Sequence, residues 1–461
     1  MTWTLVLPQA IADELQAAAQ NPLESAAVLL ASIVPAGDGT TRLLARQIQW
    51  VPDSSYASRK RDRLSIVSQG YVSALGFAER LGAMALWVHT HPGVDAVPLP
   101  SEHDRVVDSQ IADLFRLRSG SNYYGAFIVS RRPHGIVFTG HLESQDGTRV
   151  PIDRLWMVGS RFRLTRSFDS PLPELSPIFD RNIRAFGGAI QQTLADLRVG
   201  LVGCGGTGSA VAEQLARLGV RDFVLVDPDD ISSTNITRVY GSVVTDIGRP
   251  KVEMLSEHLH RIAPGARLES VRSMLTVESA ARRLLSRDLV FGCTDDNAGR
   301  LVLSRVATYL LTPVIDCGIL LTNDADGNLV GIDGRVTVLA PGEACLVCRG
   351  RVDVARASAE LLTPKERIRR MDEGYAPVLG NVEPAVVPYT TLVAATAVTE
   401  LLERLIGYGP EPRPSEVLLR CHDREISTNV AAPRERHYCH RAAGKLGIGI
   451  VDPFLEQTWP H

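Results

Sequence analysis

Apolar residues along the chain fall in short unbroken runs separated by amphipathic stretches, a pattern that predicts an α/β protein. Residues 10–19 read as a helix, and residues 26–34 and 42–51 as strands around a Gly-Asp-Gly turn. Residues 66–81 look helical, residues 83–88 form a buried strand, and residues 105–115 a further helix. A stretch rich in proline and mixed charge over residues 144–178 reads as closing strands followed by a linker. This divides the chain into residues 1–155, a linker over 156–177, and residues 178–461.

The second part opens with helical signals and then an apolar strand at residue 198. That strand runs into Gly203-Cys204-Gly205-Gly206-Thr207-Gly208, followed by a helix over residues 209–218. Gly203, Gly205 and Gly208 have the G-x-G-x-x-G spacing, which lets backbone N–H groups approach a phosphate at a helix N-terminus. The next strand, residues 223–226, ends at Asp227, where a carboxylate can accept hydrogen bonds from a ribose. The glycine turn by itself fits NAD or ATP equally well. Further strands are expected at residues 288–292, 314–318, 331–339 and 417–421. Residues 356–362 and 365–370 read as short helices, residues 375–388 as a Pro/Gly-rich loop, and residues 389–405 as an apolar helix.

Composition narrows the class. Of 461 residues, 45% are hydrophobic and 22% charged, as in ordinary globular proteins. A net charge of −3 gives no global attraction to nucleic acid or to an anionic membrane. No apolar run reaches about eighteen residues, so no membrane span is expected. The N-terminus lacks a basic start and a cleavage site, so no secretory signal is expected. Seven unevenly spaced cysteines argue against a secreted disulfide framework and for a reducing cytoplasm. The basic run Arg59-Lys60-Arg61-Asp62-Arg63 reads as a solvated turn, with docking of an acidic partner as the second reading.

Chemistry first gathers at His89-Thr90-His91-Pro92, with Ser101 and Asp104 following. Two histidines at i and i+2 leave a strand on the same face, and Pro92 is expected to end that strand. Asp104, at the start of a helix, can bring a carboxylate to the same point. Two imidazoles and one carboxylate with an open fourth position make a catalytic zinc site, where metal-bound water becomes a nucleophile at neutral pH. An H-x-H alone would be read as two hydrogen-bonded histidines near a turn. The whole string H-x-H-P-x8-S-x-x-D resembles the JAMM (MPN) metalloprotease family over roughly the first 150 residues. The resemblance implies an isopeptidase or peptidase acting on ubiquitin-like tails, with His89, His91 and Asp104 on zinc and Ser101 donating to the developing oxyanion. It also implies a glutamate general base, for which Glu24 stands in place and Glu14 is the second choice.

From Arg181 onward a second resemblance runs through the chain. Arg181 with Asn182-Ile183, the glycine turn, Asp227 and Asp229, Asn235, Arg238, Lys251 and Asp295-Asp296-Asn297 follow in the order of the ubiquitin-activating and ThiF/MoeB adenylating enzymes. The resemblance implies a Rossmann-like domain with a mostly parallel sheet that uses ATP and Mg²⁺ to form an acyl adenylate. Asp227 would bind ribose, and Asp229 and Asn235 would support the nucleotide pocket. Arg238 and Lys251 would contact phosphates, and Asp295 would position Mg²⁺, with Asp296 as its competitor. Arg181 would cross from a second subunit, which implies a homodimer.

Cys345 and Cys348 have zinc-knuckle spacing. The family closes such a structural zinc with a second C-x-x-C, where this chain has only His437-Tyr438-Cys439-His440. A Cys₃His site through Cys345, Cys348, His437 and Cys439 is chemically reasonable, with His440 as the alternative to His437. Many family members carry a thioester-forming cysteine before the apolar helix, but this chain has none between Cys348 and Cys421. Cys204, Cys293, Cys317 and Cys421 read as core residues.

These observations lead to a bifunctional reading. A zinc peptidase trims or deconjugates a small ubiquitin-like (β-grasp) protein ending in Gly, and an adenylating domain activates its C-terminus for conjugation. The acyl group then passes to a conjugating enzyme or sulfur donor. Tethering raises the effective concentration of the shared client at the second site. The first alternative is sulfur-carrier activation, ending in a thiocarboxylate for cofactor synthesis. A non-catalytic scaffold is the second; a nicotinamide dehydrogenase, the third, leaves Arg181, Arg238 and Lys251 without a task.

Overall fold

The computed structural model describes residues 2–61, 63–94, 97–132, 135–168, 172–362, 366 and 386–459. The chain divides into two units, Met1–Leu172 with Gly447–Gly449, and Pro173–Leu446 with Ile450–His461. None of the described helices is long and apolar enough to cross a membrane.

In the first unit the strands are β1 (Thr2–Pro8), β2 (Ala26–Pro35), β3 (Thr40–Trp50), β4 (Tyr56–Arg59), β5 (Leu64–Ile66), β6 (Met84–Val94), β7 (Tyr123–Arg132), β8 (Gly135–Ser144), β9 (Arg149–Pro151), β10 (Arg154–Val158) and β11 (Arg163–Arg166). Its helices are α1 (Gln9–Ala18), α2 (Gln69–Leu81) and α3 (Glu102–Ser119). All strands but β4 and β5 join one sheet in the order β11-β10-β1-β3-β2-β6-β7-β8-β9. The sheet is apolar on both faces. One side packs Leu5, Leu29, Leu43, Leu86 and Phe127 with Leu15 of α1. The other packs Val28, Leu30, Trp87 and Ala126 with Leu75 of α2 and Phe115 of α3. Two-sided burial explains why these strands read as continuous apolar runs rather than as alternations.

Three expectations change here. Residues 156–168 are not linker: β10 pairs in parallel with β1 and antiparallel with β11, at the edge of the first sheet. β10 is a buried apolar run that the boundary at residue 155 cut across, and β11, the edge strand, carries an arginine at each end and needs little apolar sequence. The helix expected from residue 66 starts at Gln69, because Leu64–Ile66 pairs with β4. Pro92 does not end its strand; it lies in a break in β6–β7 register between Thr90 and Val94.

In the second unit the strands are β12 (Arg198–Val202), β13 (Asp222–Val226), β14 (Arg267–Val271), β15 (Leu289–Gly292), β16 (Val314–Asn323), β17 (Leu329–Leu339), β18 (Glu416–Arg420) and β19 (Glu425–Asn429). The helices are α4 (Asp180–Phe186), α5 (Gly188–Asp196), α6 (Gly206–Leu218), α7 (Lys251–Ile262), α8 (Glu278–Arg282), α9 (Asn297–Tyr309), α10 (Val354–Glu360) and α11 (Val387–Ile406). The sheet order is β14-β13-β12-β15-β16-β17-β18-β19. Its first five strands are parallel and the rest antiparallel. Strand order reverses between the parallel neighbours β12 and β15, and ligands of doubly wound sheets bind outside the carboxyl ends of strands at such a switch point. The helix expected over residues 365–370 lies outside the described residues except Glu366. So does the loop expected over 375–388, apart from residues 386–388, of which 387 and 388 already belong to α11.

Candidate functional site

The first unit brings one set of chemically active residues together and the second unit two. In the first, β6 carries His89 and His91 to one side, and Asp104 meets them from the first turn of α3. Ser101 caps that helix: its Oγ accepts from the Asp104 N–H at 3.2 Å, while Asp104 Oδ2 accepts from the Ser101 N–H at 2.7 Å. This reciprocal cap folds the carboxylate back toward the strand. Asp104 Oδ1 then lies 3.3 Å from His89 Nε2 and Oδ2 lies 3.5 Å from His91 Nε2, with the two Nε2 atoms 3.2 Å apart. Ligands bound to zinc at about 2.0–2.1 Å in a tetrahedron are separated by about 3.3–3.4 Å, so the three atoms are spaced to share one zinc ion. Burial pushes the Asp104 carboxyl up, but the two imidazoles and the Ser101 N–H outweigh it and hold the group well below the usual carboxylate range.

Glu24 is buried, and its Oε1 lies 3.9 Å from His91 Nε2. Its backbone is fixed from both sides by the β4–β5 hairpin: Glu24 N–H donates to Lys60 O at 3.0 Å, and Arg59 Nε donates to Glu24 O at 2.7 Å. Arg59 also donates to Ser25 Oγ at 2.6 Å and stacks on Tyr56. Arg59, in β4, thus clamps the segment Glu24–Ser25 that leads into β2. Glu14 is elsewhere, accepting from Trp50 Nε1 at 2.8 Å. Glu24, Arg61, His91, Pro92 and Ser101 line a cavity of about 490 Å³.

In the second unit the glycine turn sits at the switch point. Gly203 has φ +90°, and a Cβ there would lie 2.5 Å from Cys293 O, just past the end of β15. A Cβ on Gly208 would lie 1.8 Å from Gly203 O, whereas one on Gly205 would meet nothing within 4 Å. Gly208→Ala is therefore expected to unfold the turn and abolish nucleotide binding. Gly205→Ala should keep the wild-type melting temperature within about 2 °C. Thermal melts with and without ATP check both, and equal damage from the two substitutions would contradict this packing.

Asp227 directly follows β13 and is buried, accepting from Cys204 N–H at 2.6 Å and Asp229 N–H at 2.9 Å. Burial pushes its pKa up, against the pull of Lys251 and of those two N–H groups. Lys251 opens α7; its Nζ donates to Asp229 Oδ2 at 2.7 Å and lies 3.9 Å from Asp227 Oδ1. Asn235 is buried and holds its own loop, accepting from Ser232 N–H at 3.0 Å. The stem of Arg238 lies 3.3 Å from where a Cβ on Gly206 would sit, so it borders the turn. Asp296 caps α9, accepting from Gly299 N–H and Thr294 Oγ1. Asp295 stays exposed beside the turn. Sequence reading missed Glu360, which takes the Ala298 N–H at 2.8 Å and so shares the capping of α9. No local signal could announce a partner 62 residues away. Arg181 stands exposed on α4.

The same unit gathers Cys345, Cys348, His437 and Cys439. The Cys345 Sγ–His437 Nδ1 and Cys348 Sγ–Cys439 Sγ distances are both 3.6 Å, and His437 Nδ1 lies 3.2 Å from Cys439 Sγ. Tetrahedral zinc with sulfur at about 2.3 Å separates its ligands by about 3.5–3.8 Å, so the donor set fits zinc. A hydrogen bond from Cys439 draws the Cys345 thiol down to about 5. His440 is used otherwise, its Nδ1 accepting from Ala442 N–H at 3.2 Å, which leaves His437 as the fourth donor. Cys204 and Cys317 are buried, and Cys293 and Cys421 half-buried.

Comparison with known proteins bears on the second unit. The ThiF family model matches residues 179–440, more than half of the chain. The sulfur carrier protein ThiS adenylyltransferase of Escherichia coli (strain K12) is 32% identical over 160 residues, 34% of this chain and 60% of that protein. The molybdopterin-synthase adenylyltransferase of the same strain is 31% identical over 172 residues, 37% of this chain and 65% of the relative. A ubiquitin-like modifier-activating enzyme 5 of Oryza sativa subsp. japonica is 27% identical over 191 residues, 38% of this chain and 43% of the relative. The chain thus spans less than two thirds of the length of these relatives, and residues 1–178 lie outside the family match.

Proposed function

We propose, from the fact that this chain belongs to the ThiF family, that its second unit adenylates the C-terminal glycine of a small β-grasp carrier protein. The observation carrying this reading is the convergence of the Gly203–Gly208 turn, Lys251 and Asp295 at one switch point. The turn's N–H groups, with Arg238 and Lys251, neutralise the phosphates of ATP, and Asp295 holds Mg²⁺. Asp229 is better placed than Asp227 for the ribose, because both Asp227 oxygens already accept N–H groups of the loop. Lys251 leaves Asp229 for phosphate as nucleotide enters. The carrier carboxylate attacks the α-phosphorus, an acyl–phosphate bond forms, the bond to the β-phosphate breaks, and pyrophosphate departs. Arg181, exposed on α4, serves the cradle of a second copy in a homodimer.

The names of the bacterial relatives favour sulfur-carrier activation over protein tagging, reversing the order taken from sequence alone. The absence of a cysteine between Cys348 and Cys421 accords with an adenylate passed to another protein's sulfur. In the first unit, His89, His91 and Asp104 would hold zinc, which would supply an acidified water; Glu24 would serve there as the general base and proton carrier, and Ser101 would donate to the oxyanion. This JAMM-type peptidase reading rests on the ligand spacing and on Glu24 standing beside it.

ATP–pyrophosphate exchange tests the main reading. Exchange should require ATP, Mg²⁺ and a Gly-ended β-grasp partner together, and a sulfur donor should then convert the partner to a species heavier by sulfur for oxygen. Exchange with no small Gly-ended protein encoded near this gene would overturn the reading. A reducible thioester on this chain would restore the tagging alternative.

A further inference from the structure

Beyond Asp316, where its pairing with β15 ends, β16 runs on as a hairpin with β17. Asp316 pairs in register with Gly292. The next residue, Cys293, is the one whose carbonyl packs against Gly203. The face that follows therefore starts one strand from the glycine turn, outside the carboxyl ends of the parallel strands. Register puts Gly318, Arg335 and Leu418 side by side, then Leu320, Asp333 and Arg420. Gly318 makes the depression, since a Cβ there would lie 3.0 Å from Arg335 Nη2. With Arg300 and Arg351 these residues line a cavity of about 490 Å³.

Charge is unevenly distributed along this groove. At its inner end one buried carboxylate, Asp316, faces two guanidinium groups: Arg335 Nη2 at 2.6 Å and Arg300 Nε at 3.4 Å. Arg335 Nε is buried with no hydrogen-bond partner among the described residues. Arg351 is already held by Glu416, at 2.9 and 3.0 Å. Farther out, Asp333 sits beside Arg420, whose other neighbour is Glu425 at 3.1 Å. One positive charge is thus in excess at the end nearest the glycine turn, and the outer end is mixed.

We propose that this groove is the track for the acyl substrate's C-terminal tail, and that Arg335, with Arg420 outside it, selects a tail carrying an acidic side chain upstream of the terminal glycine. The inference rests on the adenylation reading for the direction in which the tail runs. An extended tail ending at the α-phosphate crosses β16, β17 and β18 in turn. Its carboxylate side chain meets the unsatisfied Arg335 Nε, while apolar tail residues lie on Leu320 and Leu418. Asp316 retains Arg300 when Arg335 is engaged, so the floor keeps a counter-charge.

The test is the binding of short fluorescein-labelled peptides ending in Gly-Gly, with Glu, Gln or Lys at one upstream position, to the full chain without ATP. Anisotropy should show the Glu peptide binding about tenfold more tightly than the Gln peptide, with Lys weakest. Arg335→Gln should erase the Glu preference. Arg420→Glu, on a half-exposed side chain, should tilt it toward Lys, and it serves if Arg335→Gln does not fold. Equal binding of the three peptides, no binding of any, or a Glu preference untouched by both variants would overturn the inference. Pyrophosphate exchange run on the wild type separates the two claims. A Glu preference without exchange leaves the groove and removes adenylation; exchange without a preference does the reverse.

Discussion

Asp295→Ala should reduce ATP–pyrophosphate exchange by more than about 100-fold while leaving the melting temperature within about 2 °C of wild type. Asp296→Ala should do the opposite, lowering stability by about 1 kcal/mol and sparing most of the exchange. The two neighbours differ because backbone geometry has given them different tasks. Asp296 is the N-cap of α9, with its oxygens on Gly299 N–H and Thr294 Oγ1. Removing it strands a donor, although Glu360 still holds the adjacent Ala298 N–H and limits the loss. Asp295 is exposed beside the glycine turn, so its removal leaves the fold nearly untouched and withdraws the carboxylate offered to Mg²⁺. Exchange rates and thermal melts on both variants decide the matter. If Asp296→Ala proves the more damaging to exchange with its fold intact, the metal-binding register is shifted by one residue.

That one-residue ambiguity shows where sequence stops being informative. The strand, glycine turn and helix at residues 198–218 were legible because each step is dictated locally: apolar run, φ > 0 at Gly203, no room for a Cβ at Gly208. The meeting of His89, His91 and Asp104 was legible for the same reason, since strand alternation fixes the two histidines and a helix cap fixes Asp104. What stayed hidden depends on contacts distant in the chain. Resemblance already put Glu24 before Glu14; what it did not show is the hairpin that brackets Glu24 with Arg59 and Lys60. His437 was likewise already the first choice over His440; the Ala442 N–H that occupies His440 Nδ1 was not visible. Asp227 illustrates the converse. Its position in sequence suits a ribose ligand, yet burial and two loop N–H groups turn it into the brace of the glycine turn. β11, with an arginine at each end, passed for linker because pairing places it, whereas the buried apolar run of β10 was cut across by the boundary at residue 155.

Two zinc ions per chain are expected from metal analysis of protein prepared with zinc, and their removal should have unlike consequences. His89→Ala with His91→Ala should lower the content to one while moving the melting temperature little. His89 sits in β6, which is hydrogen-bonded to β2 on one side and to β7 on the other and rests on two apolar clusters. Those pairings and clusters hold the strand by themselves, so a metal would add chemistry to a scaffold that does not depend on it. Cys345→Ser with Cys348→Ser should likewise remove one zinc but should sharply destabilise the second unit. There the ligands join segments 92 residues apart, Cys345 to His437. The C-terminal donors sit in a stretch of turns rather than in the sheet. Metal binding to such a site counts directly toward folding, with apparent free energies of about 10 kcal/mol in isolated zinc modules. Chelation of the wild type should therefore lower stability as the cysteine variant does, and re-addition of zinc should restore it. One zinc in the wild type that survives the histidine substitutions would remove the first unit's metal site. Two that survive the cysteine substitutions would remove the second.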